Sequence, residues 1–250
     1  MSHLILDTET TGLQKPFCYD VGYKIIDNDG VELCRKHYIV EQVWHNLPLF
    51  ESAYYKEKRP LYIQAMRRHE AIMDKWGYIM RALDRDIRNC EVTDVYAYNS
   101  KFDDDVFTFN CDWFKCINPL ESLPIYDIWG YSSQFITNTP DYQSFCEKYQ
   151  MFTDSGNYKG SAESVYSYIN DDETFQERHI GIYDVDIETD ILLECIELGA
   201  QWGHDYKVIK VLPRIASHPY TIKINGQVVY QGKYIKKYVK NDTYNFTERP

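Results

Sequence analysis

Residues 4–13, LILDTETTGL, constrain this chain more than any other stretch, because an apolar run there ends directly in two carboxylates. Leu4, Ile5 and Leu6 read as a buried strand, and Gly12 as its stop signal. Side chains at i and i+2 of a strand share a face, so Asp7 and Glu9 fall side by side where the strand ends. Two close carboxylates repel and raise each other's pKa unless a cation lies between them. Hard oxygen ligands of this kind suit Mg²⁺ or Mn²⁺ rather than Zn²⁺. Taken alone, the pair also fits a plain strand-to-loop junction, with Asp7 capping a turn and Glu9 solvated.

The bulk properties narrow the classes. A chain of 250 residues can bury a large core without disulfide or metal staples. Its formal charge of −11 argues against broad adhesion to nucleic acid or to an anionic membrane, but not against local, metal-mediated contact with a phosphate. Seven cysteines in no regular framework, with no secretory signal, lead to the expectation of reduced thiols and a cytoplasmic location. Cys111 and Cys116 have the spacing of half a zinc site, but no second pair lies nearby. No apolar run approaches the ~18 residues a membrane span requires, so no membrane partner is expected. The 23 tyrosines read mainly as half-buried residues at the edge of the core, with a few able to stack on bases or sugars.

Along the chain, residues 3–7, 19–27 and 31–40 read as strands of an antiparallel meander, the last two joined through a tight turn at Asn28-Asp29-Gly30. After a poorly patterned stretch at 41–60, the spacing of Ile72, Trp76, Ile79, Leu83 and Ile87 predicts a helix over 61–88. Residues 92–98 form a β-rich run, followed by a helix across 103–109. Asp127 is placed to cap a helix reaching about 135. Short helices are expected near 141–149, 161–169 and 173–178. From 184 to 202 an apolar stripe of Ile187, Ile191, Cys195, Leu198 and Trp202 marks a long helix. Beyond Gly203, residues 206–212 and 219–235 are β-prone, and Asn225-Gly226 is the strongest hairpin signal in the chain.

Three separated segments carry the candidate chemistry: Asp7-Thr8-Glu9; AYNSKFDDDVF at 97–107, with Asp103 at the start of a helix; and ERHIGIYDVDIETDILLECI at 177–196, with His179 five positions before Asp184. Singly, the last two are weak, since Asp103, Asp104 or Asp105 could equally serve a helix dipole. In order and spacing the three resemble the DEDDh family of 3′–5′ exonucleases, which includes polymerase proofreading subunits. The strand ending in DxET followed by TGL is matched at 4–13, N-x-x-F-D by Asn99, Phe102 and Asp103, and H-x(4)-D by His179 and Asp184, with Gly181 as the small residue two after the histidine. The sequence also looks like phage-encoded members. It departs from the pattern at Tyr98, where the family often has histidine, and at Ile180-Gly181-Ile182, where Ala-Leu is common. Asp186 and Asp190 compete with Asp184, but only Asp184 has the family's distance from the histidine.

The resemblance covers roughly 3–200. It implies an α/β, ribonuclease H-like fold: a mixed five-stranded sheet flanked by helices, as a domain at 1–203 with a helical insertion at about 41–92. Residues 204–250 would follow as a β-rich extension containing a C-terminal hairpin. It further implies two divalent ions, Mg²⁺ or Mn²⁺, held by Asp7, Glu9, Asp103 and Asp184, with Asp7 bridging. His179 would act as general base toward water, releasing nucleoside 5′-monophosphates from single-stranded DNA or RNA 3′ ends. Thr10, Thr11, Gly12 and Leu13 would hold the terminal nucleotide, and Asn99 and Phe102 would line the neighbouring subsite. A polymerase partner, a role in DNA replication or repair, and a host-cytoplasm location if phage-encoded follow from the same likeness. The alternative is a catalytically silent module of this fold that binds a polymerase or another protein; a structure-selective endonuclease is a third reading. Residues 233–240, KYIKKYVK, interleave lysine and tyrosine, as a tract along a nucleic-acid strand does and as a protected edge strand also does. Preference for DNA or RNA stays open, because it turns on contacts to the 2′-hydroxyl.

Overall fold

The computed structural model describes residues 1–13 and 16–209, together with the backbone of two strands at 216–224 and 227–236. Its centre is a six-stranded sheet in the order β4-β3-β2-β1-β5-β6. Strands β1 (Ser2–Thr10), β2 (Cys18–Asp27) and β3 (Glu32–Val40) form the expected antiparallel meander. Strand β5 (Val92–Ala97) lies parallel to β1 on its other side, followed by β6 (Ile125–Asp127). Strand β4 (Ile72–Asp74) pairs parallel with β3.

Alternation along β1 sorts the core into two layers. Leu4 and Leu6 pack with one apolar cluster and Ile5 with the other. The first cluster is closed by α1 (Glu41–Trp44), α2 (Leu47–Phe50), α3 (Arg59–Arg67), α4 (Trp76–Asn89) and α5 (Ser100–Phe114). The second is closed by α6 (Ile128–Ser132), α7 (Pro140–Tyr149), α8 (Ala162–Ile169) and α9 (Gly181–Glu197). The same alternation sends Thr8 toward the α5 layer and Asp7 and Glu9 toward the α9 layer.

Several sequence expectations are corrected. The sheet has six strands, not five. The sixth, β4, lies inside the stretch read as one helix over 61–88. Left-handed backbone at His69, with φ of 60°, ends α3, and Ile72 stands in the strand while Trp76, Ile79, Leu83 and Ile87 are buried on α4. A four-residue step from Ile72 to Trp76 fits a helix by accident. Strand β6 is too short for its alternation to show between Pro124 and Asp127. Residues 173–178 form a turn followed by irregular backbone rather than a helix, and 206–209 contain no strand. Asp127 caps α6 as expected, its Oδ1 accepting from the Trp129 amide at 2.9 Å. Strands β7 (Ala216–Ile224) and β8 (Gln227–Lys236) pair antiparallel as a separate hairpin; Asn225-Gly226 and residues 237–240 of the basic tract lie outside the described residues. All seven cysteines are free thiols. Among the described residues no helix is long and apolar enough to cross a membrane.

Candidate active site

The carboxylates converge where β1 leaves the core. Asp7 sits opposite Gly22 in the β1–β2 register, and Glu9 sits opposite Asp20. Because Gly22 has no side chain, the first turn of α9 descends onto the sheet at this point. A Cβ on Gly22 would lie 2.3 Å from the Gly181 carbonyl carbon, and one on Gly181 would lie 2.9 Å from the Gly22 nitrogen. The buried Asp20 supplies the cap that the N-cap residue of α9, Ile180, does not, since Oδ2 accepts from the Gly181 amide at 2.9 Å while Oδ1 lies 2.8 Å from His37 Nε2. One turn further on, Asp184 is only 3% exposed.

Asp103 arrives from the other layer. Strand β5 ends, Asn99 takes left-handed backbone at φ 62°, a conformation asparagine tolerates better than most residues, and α5 begins. The Asn99 amide donates to Asp127 Oδ1 at 2.8 Å. Asp103, 3% exposed, accepts from Thr8 Oγ1 at 2.7 Å. The residue between the two acids of the DxE pair thus ties the third acid to the same strand.

The ligand atoms of Glu9, His179 and Asp184 all lie within 4.8 Å of one another, and this is the one such group among the described residues. Asp7 Oδ2 and Asp184 Oδ1 are shut off from solvent without a hydrogen-bond partner. Buried carboxylate oxygens are ordinarily paired. Burial pushes Asp184 up to about 8 and Asp103 up to about 7, the latter partly offset by the bond from Thr8. Burial also raises Asp7 well above the usual range, reinforced in turn by the charges of Glu188, Asp103, Asp184 and Glu9. Glu9 rises for the same reason, with Asp184 and Asp20 adding to it and the Lys58 ammonium opposing. An oxygen-rich, mutually repelling set with orphaned atoms suits a hard divalent cation, so these residues fit the ions that the motifs imply.

His179 lies in the segment entering α9, half-buried, with left-handed backbone at φ 51°. Its Nδ1 is 3.8 Å from Glu177 Oε2. Burial, and then the charge of Lys58, hold its pKa below the usual 6.5. Glu177 is itself pushed up to about 7, by burial and by Glu163.

The remaining candidates are more dispersed. Thr11 is buried, its amide donating to the Phe17 carbonyl at 3.0 Å; Thr10 Oγ1 reaches the Gly12 carbonyl at 3.4 Å. A Cβ on Gly12 would meet nothing within 4 Å, so no close packing requires glycine there. Leu13 is 84% exposed. Asn99 is exposed, while Phe102 is partly buried against the first core cluster. Tyr98, where the family often has histidine, points its hydroxyl away into bonds with the Gly160 carbonyl at 2.7 Å and Ser132 Oγ at 3.0 Å.

Of the acids competing with Asp184, Asp186 is bound by Lys24 at 2.5 Å and by Arg35, and Asp190 is exposed. The acid absent from the motif-based set is Glu188. It is 3% exposed, accepts from the Tyr98 amide at 3.1 Å, and is the neighbouring charge that raises Asp7 most. Its signal in the sequence is the four-residue step from Asp184, which places both on one helical face. Asp20 was likewise readable only through the strand register.

No protein-family model matches the sequence, and neither does any curated protein. Among solved structures the chain is similar to exonuclease I in an SSB/exonuclease I structure with the inhibitor CFAM, at TM-score 0.52 and 12% identity over 76% of this chain and 40% of that one. It also matches exonuclease I in its apo form, at TM-score 0.47 and 12% identity over 79% and 43% of the two chains. A third match is E. coli exonuclease I with a dA16 oligonucleotide, at TM-score 0.44 and 12% identity over 79% and 42%. The chain therefore spans about two fifths of the length of these structures. The first of them shares this fold, an α/β arrangement of a mixed sheet flanked by helices.

Proposed function

We propose that the protein is a DEDDh-type 3′–5′ exonuclease that hydrolyses phosphodiester bonds at single-stranded nucleic-acid ends with the help of two divalent ions, Mg²⁺ or Mn²⁺. The observation that carries this is the convergence of Asp7, Glu9, Asp103, His179 and Asp184 from both layers of the fold, with orphaned, solvent-excluded oxygens on Asp7 and Asp184. Asp7, Glu9 and Asp184 would hold one ion and Asp7 would share the second, with Asp103 supporting it. Asp7, on which the charges of Glu188, Asp103, Asp184 and Glu9 all act, would be among the residues that hold the ions. When bound, such ions supply positive charge against the phosphate and make water a stronger nucleophile.

The chain's own groups do the rest. Thr8 holds Asp103 in place, and Asp20 holds the start of α9 and with it Asp184. His179, kept below its ordinary pKa, is largely neutral at pH 7 and free to take a proton from the attacking water. The backbone of Thr10, Thr11 and Gly12 and the exposed side chain of Leu13 would receive the terminal nucleotide, with Asn99 and Phe102 beside the next one.

The test is degradation of 3′- and 5′-labelled single-stranded DNA and RNA of one sequence, with Mg²⁺, Mn²⁺ or EDTA and with Asp7→Asn as control. A metal-dependent ladder shortening from the 3′ end, absent in the variant, is expected, and it also names the preferred sugar. Folded protein that leaves both strands intact under all conditions would overturn the proposal in favour of a silent binding module.

A further inference from the structure

His179 combines an exacting role with an unfavourable backbone. At φ 51° it occupies the left-handed region, where a non-glycine residue persists only if its surroundings hold it there. Two contacts from a single short turn do so. The ring of Tyr55 stacks on the imidazole with centroids 4.2 Å apart and planes 11° from parallel. Lys58 donates through Nζ to the carbonyl of Arg178, the residue immediately before, and the same ammonium lies 4.5 Å from the centroid of the Tyr55 ring. The turn is itself braced. Tyr54 meets Tyr55 edge-on at 4.8 Å, Ala53 is buried, and Arg59 lies over Trp44 and Phe50 at 4.7 and 5.0 Å.

We infer that Tyr55 and Lys58 form a clamp that positions His179 for catalysis, an inference that rests on the proposed nuclease reaction. The clamp joins the turn that holds Tyr55 and Lys58 to the segment entering α9. It fixes the ring plane by stacking and the backbone by a hydrogen bond, so the imidazole is presented to water without a search over rotamers. Tyr55 is a positioning residue on this view, acting through the histidine rather than on substrate. One face of its ring is taken by the imidazole.

The experiment compares Tyr55→Ala, Tyr55→Leu and Tyr55→Phe with the full-length wild type, by steady-state kinetics on a single-stranded oligonucleotide with Mn²⁺ and by NMR of the metal-free protein. Ring-current shifts of the His179 Hε1 and Hδ2 protons report the stack independently of turnover. Tyr55→Ala and Tyr55→Leu are expected to lose those shifts and to lower kcat by about 10- to 100-fold, the scale of a misplaced catalytic group, with KM and Mn²⁺ affinity within about twofold of wild type. Tyr55→Phe, which keeps the ring, restores both. In a His179→Ala background Tyr55→Ala should cause no further loss. Unchanged kcat in Tyr55→Ala and Tyr55→Leu, or a further loss in the double variant, would overturn the clamp while leaving the nuclease intact. A wild type that shows the ring-current shifts but does not cleave would overturn the reaction itself and with it this role.

Discussion

Asp184 and Glu188 show how much a single residue's position along a helix decides. Both face inward because they are one turn apart, while Asp186 between them is bound by Lys24 and Arg35 on the outside. Replacing Glu188 with Gln removes a buried acid, whose ionisation burial and the neighbouring Asp103 oppose, without changing shape. The metal-free protein should gain about 2–4 °C in Tm, roughly 1 kcal/mol for a chain of this size, and added Mn²⁺ should stabilise it less than it stabilises wild type. Thermal melts with and without Mn²⁺ check this, and an unchanged or lowered Tm would mean that the site does not repel Glu188. At His179, the alanine variant should lose about 10²- to 10⁴-fold in kcat while binding Mn²⁺ within about twofold of wild type by calorimetry. A much weaker Mn²⁺ affinity would make the histidine a ligand instead, consistent with its atoms lying within 4.8 Å of those of Glu9 and Asp184. That Asp7, Glu9, Asp103 and Asp184 would lie near one another was legible, because the motif spacing ties these distant positions to one place. Glu188, Asp20 and Tyr55 were not, because each enters through a partner distant in the chain.

Among the elements, β1 and the body of α9 were plain in the sequence, since apolar runs and stripes are local, but α9 ends at Glu197, so Leu198 and Trp202 of the expected stripe lie beyond it. The region from 41 to 92 was not plain. There α3, β4 and α4 follow one another with little between them, and a three-residue strand carries too few side chains to announce its period. What brings β2 and α9 together is also invisible locally, since Gly22 and Gly181 lie far apart in the chain. Gly22→Ala would force a Cβ to within 2.3 Å of the Gly181 backbone. Backbone cannot swing aside as a side chain can, so the cost should be about 3 kcal/mol, at the upper end for overpacking. Urea denaturation measures it, and a loss below about 1 kcal/mol would show that the helix can lift from the sheet without penalty.

For the whole molecule, a formal charge of −11 and a knot of buried acids make stability depend on pH and on cations. In the unfolded chain the carboxylates titrate near 4, whereas Asp103 is pushed up to about 7 and Asp184 up to about 8 in the folded protein. Between those limits the folded state holds protons that the unfolded state has released, so these groups make the metal-free protein less stable as pH rises from about 4 to about 8. Melting temperature in EDTA should therefore fall between pH 6 and pH 8, and millimolar Mg²⁺ or Mn²⁺ should restore more at pH 8 than at pH 6. A Tm that rises over that interval in EDTA would contradict the burial of the cluster. The contact of Gly22 with Gly181 has a consequence at this scale too. With no side chain between strand and helix, the gap that separates Asp7 from Asp184 is a ruler made of main chain. Substitutions elsewhere in the core can accumulate without changing its length, and a library that randomises core positions while keeping these two glycines and the acids should retain the spacing of the acids wherever it retains the fold.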